Sequence, residues 1–155
     1  MTRIMFVCHG NICRSPMAEL IFKDMLALRG AEDDFLVASS ATSNEEIRNG
    51  VGNPVYPPAK AELERHGIDS RGKRAVQLHR SDLDKYDMFI CMDDKNARNA
   101  ARILGDGCEG KISKLLSYTG QDRDVSDPWY SDRFDIAYLD IYDGCRALLD
   151  NLLKR

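Results

Sequence analysis

The chain has 155 residues, of which 43% are hydrophobic and 30% are charged, and its formal net charge is −3. This length predicts a single domain, spanning residues 1–155, with an adequate core. The slight negative charge argues against a nucleic-acid-binding surface and against general attraction to anionic membranes. The five cysteines are scattered, no secretory signal stands at the start, and no apolar run has the length of a membrane span. These features predict a protein of the reducing cytoplasm.

The first predicted elements are a strand, a loop and a helix. The apolar residues 4–7 are short enough for a buried strand. Apolar side chains then recur at helical spacing over residues 15–28, namely Met17, Ile21, Met25 and Leu28. Ser15 suits the N-cap of this helix, and Pro16 suits its first position. The loop therefore faces the free N–H groups and the positive end of a helix dipole, which attract an anion such as phosphate.

Cys8 and Arg14 flank this loop, with five residues between them. A thiolate is stabilised at such an anion site, and a guanidinium can hold two phosphate oxygens at once. The pattern predicts that Cys8 attacks phosphorus and forms a phosphocysteine, and that the hydroxyl of Ser15 helps the sulfur to leave. An isolated cysteine would more simply be a buried apolar group. A metal site built from Cys8, His9 and Cys13 is disfavoured, because no second Cys/His pair follows at ligand spacing.

The rest of the chain alternates between strands and helices. Further strands are predicted over residues 35–38, 87–92 and 111–115. Further helices are predicted over residues 59–66, from Asp93 or Asp94 to Leu104, and over 132–153. The segment 44–58, rich in Gly and Pro, is predicted to be a long functional loop. This order predicts an α/β protein whose parallel sheet is covered on both faces, with the Cys8 loop at the carboxyl end of the first strand, where such sheets bind ligands.

A polar loop over residues 120–130 offers an acid for the leaving group. Asp127 is followed by Pro128, which stiffens the backbone, and by Trp129 and Tyr130, whose flat apolar surfaces suit an aromatic substrate. Two further carboxylates of the loop are alternative acids, Asp122 and Asp124. Taken alone, an Asp-Pro pair more simply starts a turn. The Cys8 loop upstream favours the catalytic interpretation.

Several motifs resemble those of the low-molecular-weight protein tyrosine phosphatases. Residues 7–16, VCHGNICRSP, resemble the phosphate loop of that family, and residues 127–130, DPWY, resemble its acid loop. Residues 91–93 resemble the segment after its third strand, and residues 42–59 are similar to the bacterial version of the family. The resemblance extends over essentially the whole chain. It implies a three-layer α/β/α fold with a four-stranded parallel sheet, and it implies no metal and no other cofactor.

The resemblance also implies the roles of individual residues. Cys8 is the implied nucleophile, Arg14 the phosphate clamp, and Asp127 the general acid and then the base for the attacking water. Cys13 is the implied redox partner of Cys8, with which it can form a reversible disulfide. The implied phosphate-binding and substrate-binding residues are His9, Gly10, Asn11, Ile12, Cys13, Ser15, Trp129 and Tyr130. Asn11 tolerates a left-handed backbone, and Ser39 is its implied partner in supporting the loop.

The implied reaction is hydrolysis of phosphotyrosine in proteins, or of small aryl phosphates, with inorganic phosphate as product and no nucleic acid or membrane as partner. Ile12 favours phosphotyrosine, since related phosphoarginine phosphatases carry threonine there. A phosphoarginine phosphatase and a thiol-dependent arsenate reductase are alternatives on the same fold. The reductase needs a close pair of redox cysteines, for which Cys91 and Cys108 are the mid-chain candidates. A third alternative is a non-catalytic phosphate-binding module, which would lack the nucleophile or the acid, and both are present.

Two segments depart from the family pattern. The loop 44–58 has no clear counterpart of the family's aromatic wall. Gly72 and Lys73 stand where many members have a histidine that helps to hold the phosphate loop. Both departures concern substrate recognition and loop rigidity rather than the type of reaction.

Overall fold

The computed structural model describes residues 1–154. In chain order the strands are β1 (Thr2–Cys8), β2 (Phe35–Ala41), β3 (Ile47–Arg48), β4 (Val51–Gly52), β5 (Met88–Cys91) and β6 (Ile112–Lys114). The α-helices are α1 (Arg14–Arg29), α2 (Pro57–Arg65), α3 (Asp94–Leu104), α4 (Pro128–Ser131) and α5 (Phe134–Leu153). Short 3-10 turns lie at Glu32–Asp34, Arg80–Asp84 and Leu115–Thr119.

Four strands form one parallel sheet in the order β2-β1-β5-β6. The predicted four-stranded parallel sheet is therefore confirmed. Residues 4–8 of β1 and 89–91 of β5 are apolar and buried, as expected for strands that are covered on both faces. Because β1 is central, its carboxyl end at Cys8 lies at the middle of one edge of the sheet, where the strand order allows a ligand cleft to open.

The two faces of the sheet bury separate apolar clusters. On one face Ile4 and Phe6 pack with side chains of α1, α2 and α5. On the other face Met5, Val7 and Phe89 pack with Ala100 and Leu104 of α3. Successive residues of β1 thus contribute alternately to the two cores, as the period of a strand requires.

Two predicted boundaries change because of pairing between strands. The strand predicted over residues 35–38 continues to Ala41, since every residue of β2 pairs with one of β1. The predicted long loop 44–58 contains an antiparallel hairpin of β3 and β4. Asn49 and Gly50 form its turn with positive φ angles of 52° and 76°. Asn-Gly is a strong sequence signal for such a turn, and it could have revealed the hairpin.

The start of α1 corrects another prediction. The helix begins at Arg14 with Cys13 at the cap position, and no side chain caps it. Ser15 therefore does not cap the helix, and its hydroxyl is turned towards Cys8 instead. Leu28, predicted on the apolar face, is 81% exposed. The other helices shift by a few residues at most, and Asp93 rather than Asp94 caps α3 by accepting from the N–H of Asn96.

No α-helix within residues 1–154 combines the length and the apolar character needed to span a bilayer.

Candidate functional site

A loop of residues 9–13 joins β1 to α1 and curls around the sulfur of Cys8. Asn11 adopts a left-handed conformation with φ of 58°, and its N–H points at Cys8 Sγ at 3.3 Å. Neighbouring segments hold the outer side of the loop: the N–H groups of Thr42 and Tyr56 donate to the carbonyl oxygens of Cys8 and Ile12, at 3.0 and 2.9 Å. The N–H of Asn11 and the free N–H groups at the start of α1 thus suit the binding of an anion.

A cleft of about 470 Å³ opens above this loop. The cleft is lined by the residues of the loop and of the acid segment that were predicted as site residues: Cys8, His9, Gly10, Asn11, Ile12, Cys13, Arg14, Asp127, Trp129 and Tyr130. Five further lining residues were missed by the sequence analysis: Glu45, Glu46, Asp93, Lys95 and Asn96. Ser15 and Ser39 do not line the cleft and are buried, with exposures of 0% and 2%. They belong to the layer that supports it.

A chain of hydrogen bonds supports Cys8 from this buried layer. Ser15 Oγ lies 2.9 Å from Cys8 Sγ. The side-chain amide of Asn11 donates to Ser15 Oγ at 2.7 Å and to Ser39 Oγ at 2.9 Å. The Asn11 oxygen accepts from the N–H of Val76 at 2.9 Å, which defines the orientation of the amide, because a backbone N–H can only donate.

The chain of hydrogen bonds ends on a buried charge pair that the sequence analysis did not identify. Ser39 Oγ donates to Glu19 Oε1 at 2.6 Å, and Lys73 Nζ lies 3.4 Å from the same oxygen. Lys23 Nζ reaches the other oxygen at 2.6 Å. Burial opposes ionisation of Glu19, but the charges of Lys73 and Lys23 outweigh it and hold the pKa of this carboxyl below its ordinary value. Lys73, in a segment that departs from the family pattern, therefore takes part in supporting the loop, and it also donates to the carbonyl oxygen of Ser39 at 3.2 Å.

The charge on Glu19 and the N–H of Val76 together determine which group donates in each of these hydrogen bonds. An ionised carboxylate only accepts, so Ser39 must donate to Glu19 and use a lone pair for Asn11. Asn11 then donates its second N–H to Ser15, which leaves the hydroxyl hydrogen of Ser15 free to point at Cys8 Sγ. The hydroxyl of Ser15 is therefore oriented as a hydrogen-bond donor to the sulfur of Cys8.

We expect Glu19→Gln to weaken both the fold and the support of Cys8. The change leaves Lys73 without its charge partner, and loss of the charged hydrogen bonds should lower the free energy of unfolding by about 2–3 kcal/mol. Because the pKa of Glu19 is lowered in the folded protein, this contribution is complete above the ordinary value of 4.5 and disappears as the pH falls below it. Urea denaturation at several pH values measures the difference.

The control for this change is Glu64→Gln. Glu64 lies on the exposed side of α2, 3.9 Å from Lys60, and such pairs contribute little. Its replacement should alter the free energy of unfolding by less than about 0.5 kcal/mol. Equal effects of the two variants above pH 5 would contradict the role assigned to Glu19.

Arg14 is 4% exposed and is held by contacts on two sides. Nη1 donates to the carbonyl oxygen of Val125 at 3.0 Å, and Nη2 donates to Asp93 Oδ2 at 2.8 Å. Burial lowers the pKa of Arg14, but the charges of Cys8, Asp127 and Asp93 outweigh this and raise it, so the side chain remains a cation. Asp93, predicted only as a helix cap, therefore also orients the guanidinium, an assignment that spacing along the chain does not reveal.

Asp127 lies next to Arg14 in the cleft. One carboxylate oxygen, Oδ1, accepts from the N–H of Trp129 at 3.1 Å and caps α4, and the other, Oδ2, lies 3.5 Å from Arg14 Nη2. The alternative acids point elsewhere. Asp124 Oδ1 is bound to Lys114 at 3.0 Å, and Asp122 is fully exposed near the same lysine. Neither lines the cleft, so geometry favours Asp127 as the proton donor.

Aromatic rings form one wall of the cleft. Trp129 and Tyr130 line the cleft and are 58% and 85% exposed. Tyr56 packs against Trp129, with ring centroids 5.1 Å apart. Tyr56 belongs to the segment 44–58, in which the sequence showed no clear counterpart of the family's aromatic wall. Ile12 is only 8% exposed and packs mainly in the core. The exposed aromatic surface for a substrate therefore comes chiefly from the acid loop.

The opposite rim of the cleft is acidic. His9 Nε2 lies 3.2 Å from Glu45 Oε2, and Glu46 accepts from the side-chain amide of Asn53 at 3.0 Å. Gly10 passes so close to Glu46 that a Cβ at position 10 would lie 3.3 Å from the Glu46 side chain. A glycine at position 10 therefore allows this close packing of loop and rim.

Of the other cysteines, only Cys13 shares the cleft with Cys8. Burial raises the pKa of Cys13 and of Cys91 to about 12, so both are neutral thiols at pH 7. All five cysteines are free thiols, and Cys91 and Cys108 are 0% and 7% exposed within the core. Neither lines the cleft beside Cys8, so they do not suit the accessible redox pair that arsenate reduction requires. Across residues 1–154, no cluster of His, Cys, Asp or Glu has the arrangement of a metal site.

Comparison with known proteins defines the family. The family model described as low molecular weight phosphotyrosine protein phosphatase matches residues 3–155. The chain is 36% identical to the low molecular weight protein-tyrosine-phosphatase YfkJ of Bacillus subtilis, over 99% of this chain and 97% of that protein. It is 35% identical to the human low molecular weight phosphotyrosine protein phosphatase, over 95% and 93% of the two chains.

Solved structures agree with this result. The crystal structure of Bacillus subtilis YfkJ superposes with a TM-score of 0.92, covering 99% of this chain and 96% of that one. Wzb of Vibrio vulnificus, solved in complex with benzylphosphonate, is 26% identical and gives a TM-score of 0.83 over 97% and 98% of the two chains. The resemblance, the fold and the phosphatase class predicted from the sequence are thereby confirmed, and the chain belongs to the low molecular weight phosphotyrosine protein phosphatase family.

Proposed function

We propose that the protein hydrolyses phosphotyrosine, and small aryl phosphates, through a phosphocysteine on Cys8. The observation that carries this proposal is the meeting of Cys8, Arg14 and Asp127 in one cleft above an anion-binding loop. A nucleophile, a cation and a carboxylic acid are the three groups that the cleavage of a phosphate ester uses.

In the first step, the thiolate of Cys8 attacks phosphorus in line with the leaving oxygen. The N–H groups of the loop and the guanidinium of Arg14 bind the non-bridging oxygens, on which negative charge is concentrated. The bond between phosphorus and the phenolic oxygen breaks, and Asp127 gives its proton to that oxygen. Tyrosine is released and Cys8 carries the phosphoryl group.

In the second step, Asp127, now ionised, takes a proton from a water molecule. The water oxygen attacks phosphorus, the bond to sulfur breaks, and inorganic phosphate is released. The hydroxyl of Ser15, 2.9 Å from the sulfur, stabilises the departing thiolate. The two steps regenerate the enzyme without a metal or another cofactor.

The substrate preference is supported by the aromatic wall. Trp129 and Tyr130 can lie against a phenyl ring whose phosphate occupies the loop. The structural relative from Vibrio vulnificus was solved with benzylphosphonate, which joins an aromatic ring to a phosphonate group. We propose phosphotyrosine in proteins as the natural class of substrate, and we propose neither nucleic acid nor a membrane as a partner.

The reaction needs a reduced Cys8, so we propose that the protein acts in the cytoplasm. Five free thiols are consistent with a reducing compartment. When a peroxide oxidises Cys8 to a sulfenic acid, condensation with the thiol of Cys13 would release water and form a disulfide. A thiol reductant would then restore both groups. This reaction would protect Cys8 from irreversible oxidation.

The test is a comparison of peptides carrying phosphotyrosine, phosphoserine or phosphoarginine, in reducing buffer without added metal. We expect phosphotyrosine to be hydrolysed with a kcat/KM at least about tenfold higher than the others, since a flat ring reaches the aromatic wall while the phosphate fills the loop. Preference for phosphoarginine would retain the cysteine chemistry and overturn the assignment of the substrate. Absence of hydrolysis for all three would overturn the proposed function.

A further inference from the structure

The loop that carries Asp127 is anchored first at residues 124 and 125. Asp124 Oδ1 accepts from the N–H of Asp94 at 3.1 Å, at the start of α3. The N–H of Val125 donates to the carbonyl oxygen of Met92 at 2.9 Å, beyond the end of β5. These contacts hold the loop against the sheet. The next peptide unit joins Val125 to Ser126, and Arg14 Nη1 holds its carbonyl oxygen at 3.0 Å. Its N–H, on Ser126, is left for another group to bind.

A carboxylate from α5 binds this N–H. Asp140 is 8% exposed, and its Oδ2 accepts from the N–H of Ser126 at 3.2 Å. The same carboxylate binds both terminal nitrogens of Arg123, through Oδ1 at 2.9 Å and Oδ2 at 3.2 Å. One buried side chain of the last helix therefore binds the loop on both sides of residues 124 and 125.

We propose that Asp140 is a positioning residue that sets the direction of Asp127 through the backbone of Ser126. The proposal rests on the proposed function, since it concerns the proton donor of the same site. One carboxylate oxygen of Asp127 accepts a hydrogen bond from the N–H of Trp129. The direction in which the other oxygen points therefore depends on the backbone orientation at residue 127. Ser126 directly precedes Asp127, so a rotation of the peptide unit between Val125 and Ser126 also turns the backbone that carries the acid. Misplacing an acid by about 1 Å can cost two orders of magnitude in rate.

Asp140→Asn tests this with little change in shape. An asparagine keeps one acceptor oxygen but replaces the other with an NH₂ group, which then faces an N–H donor of Ser126 or of Arg123. The best matched control is Asp143→Asn, because Asp143 lies on the same helix and is exposed. Arg123→Gln provides a second variant at a side chain that is 48% exposed and is not needed for the core.

The measurement is kcat/KM for a series of aryl phosphates whose leaving groups range from p-nitrophenol to tyrosine. A displaced acid harms poor leaving groups most, whereas partial unfolding lowers kcat/KM for all substrates by the same factor. We expect Asp140→Asn to lose about tenfold with phosphotyrosine and less than about twofold with p-nitrophenyl phosphate, and Arg123→Gln to show a smaller loss of the same kind. Asp143→Asn should match the wild type.

An equal loss for all leaving groups, or no loss, would overturn the role of Asp140. Asp127→Ala, measured in the same experiment, separates the role of Asp140 from the role of Asp127 as the proton donor. If Asp127→Ala shows a strong dependence on the leaving group and Asp140→Asn shows none, the inference about Asp140 fails and the proposed function stands. If Asp127→Ala itself shows no such dependence, Asp127 is not the acid, and both the inference and this part of the proposed function fail.

Discussion

Cys8→Ser is expected to abolish hydrolysis of phosphotyrosine while leaving the phosphate site intact. The hydroxyl of serine is a far weaker nucleophile than a thiolate, and the loop is built to stabilise a charged sulfur. Removal of a nucleophile from such a site typically costs about 10⁴-fold or more in kcat. Steady-state hydrolysis of p-nitrophenyl phosphate measures the loss, and calorimetry with inorganic phosphate shows whether the loop still binds its ligand.

Cys108→Ser is the matched control, since Cys108 is also buried but packs on the opposite face of the sheet. Provided that its thermal stability matches that of the wild type, Cys108→Ser should keep a kcat within about twofold of the wild-type value. Hydrolysis that survives in Cys8→Ser would contradict the covalent mechanism. Loss of phosphate binding together with activity would instead mean that the substitution had disturbed the loop, and Cys8→Ala would then provide the comparison.

Asp127→Ala is expected to slow phosphotyrosine cleavage far more than cleavage of activated esters. General acid catalysis typically contributes 10²–10⁴-fold, and we expect a loss of about that size in kcat/KM for phosphotyrosine. A leaving group such as p-nitrophenolate is stable without a proton and should suffer much less. A plot of log kcat/KM against the pKa of the leaving group should therefore become steeper in the variant.

Asp122→Ala is the control for this experiment. Asp122 lies in the same loop, and its side chain is fully exposed beside Lys114. Its replacement should leave the plot unchanged. A steeper plot for Asp122→Ala with a normal one for Asp127→Ala would identify a different acid from the one that faces Arg14.

Much of the site could be predicted because its parts are contiguous in the chain. The phosphate loop needs only the end of a strand, the start of a helix and the residues between them, and residues 7–16 contain all three. The apolar runs of β1 and β5 likewise predict buried parallel strands by their composition alone. Local sequence is sufficient wherever the chemistry is built within a single strand-loop-helix unit.

Predictions failed where one residue had two available partners. The composition at the start of α1 favours Ser15 as a cap, yet its hydroxyl bonds Cys8 and Asn11. Asp93 was predicted only to cap α3, and it does so with one oxygen while the other binds Arg14. Local sequence rules describe only the capping of a helix. The contacts with Cys8 and with Arg14 depend on which elements of the fold meet, and a local pattern carries no such information.

The sequence by itself determined the phosphatase class, the parallel sheet and the position of the loop between Cys8 and Arg14, because the motifs and strands that indicate them are built from residues that are adjacent or regularly spaced. Only the tertiary structure decided what surrounds the loop. Glu19 and Lys73 are distant in the chain and meet beneath Ser39, and Asp140 reaches the acid loop from the last helix. These are charged contacts between separate elements, and their partners are selected by the packing of helices on the sheet rather than by spacing along the chain.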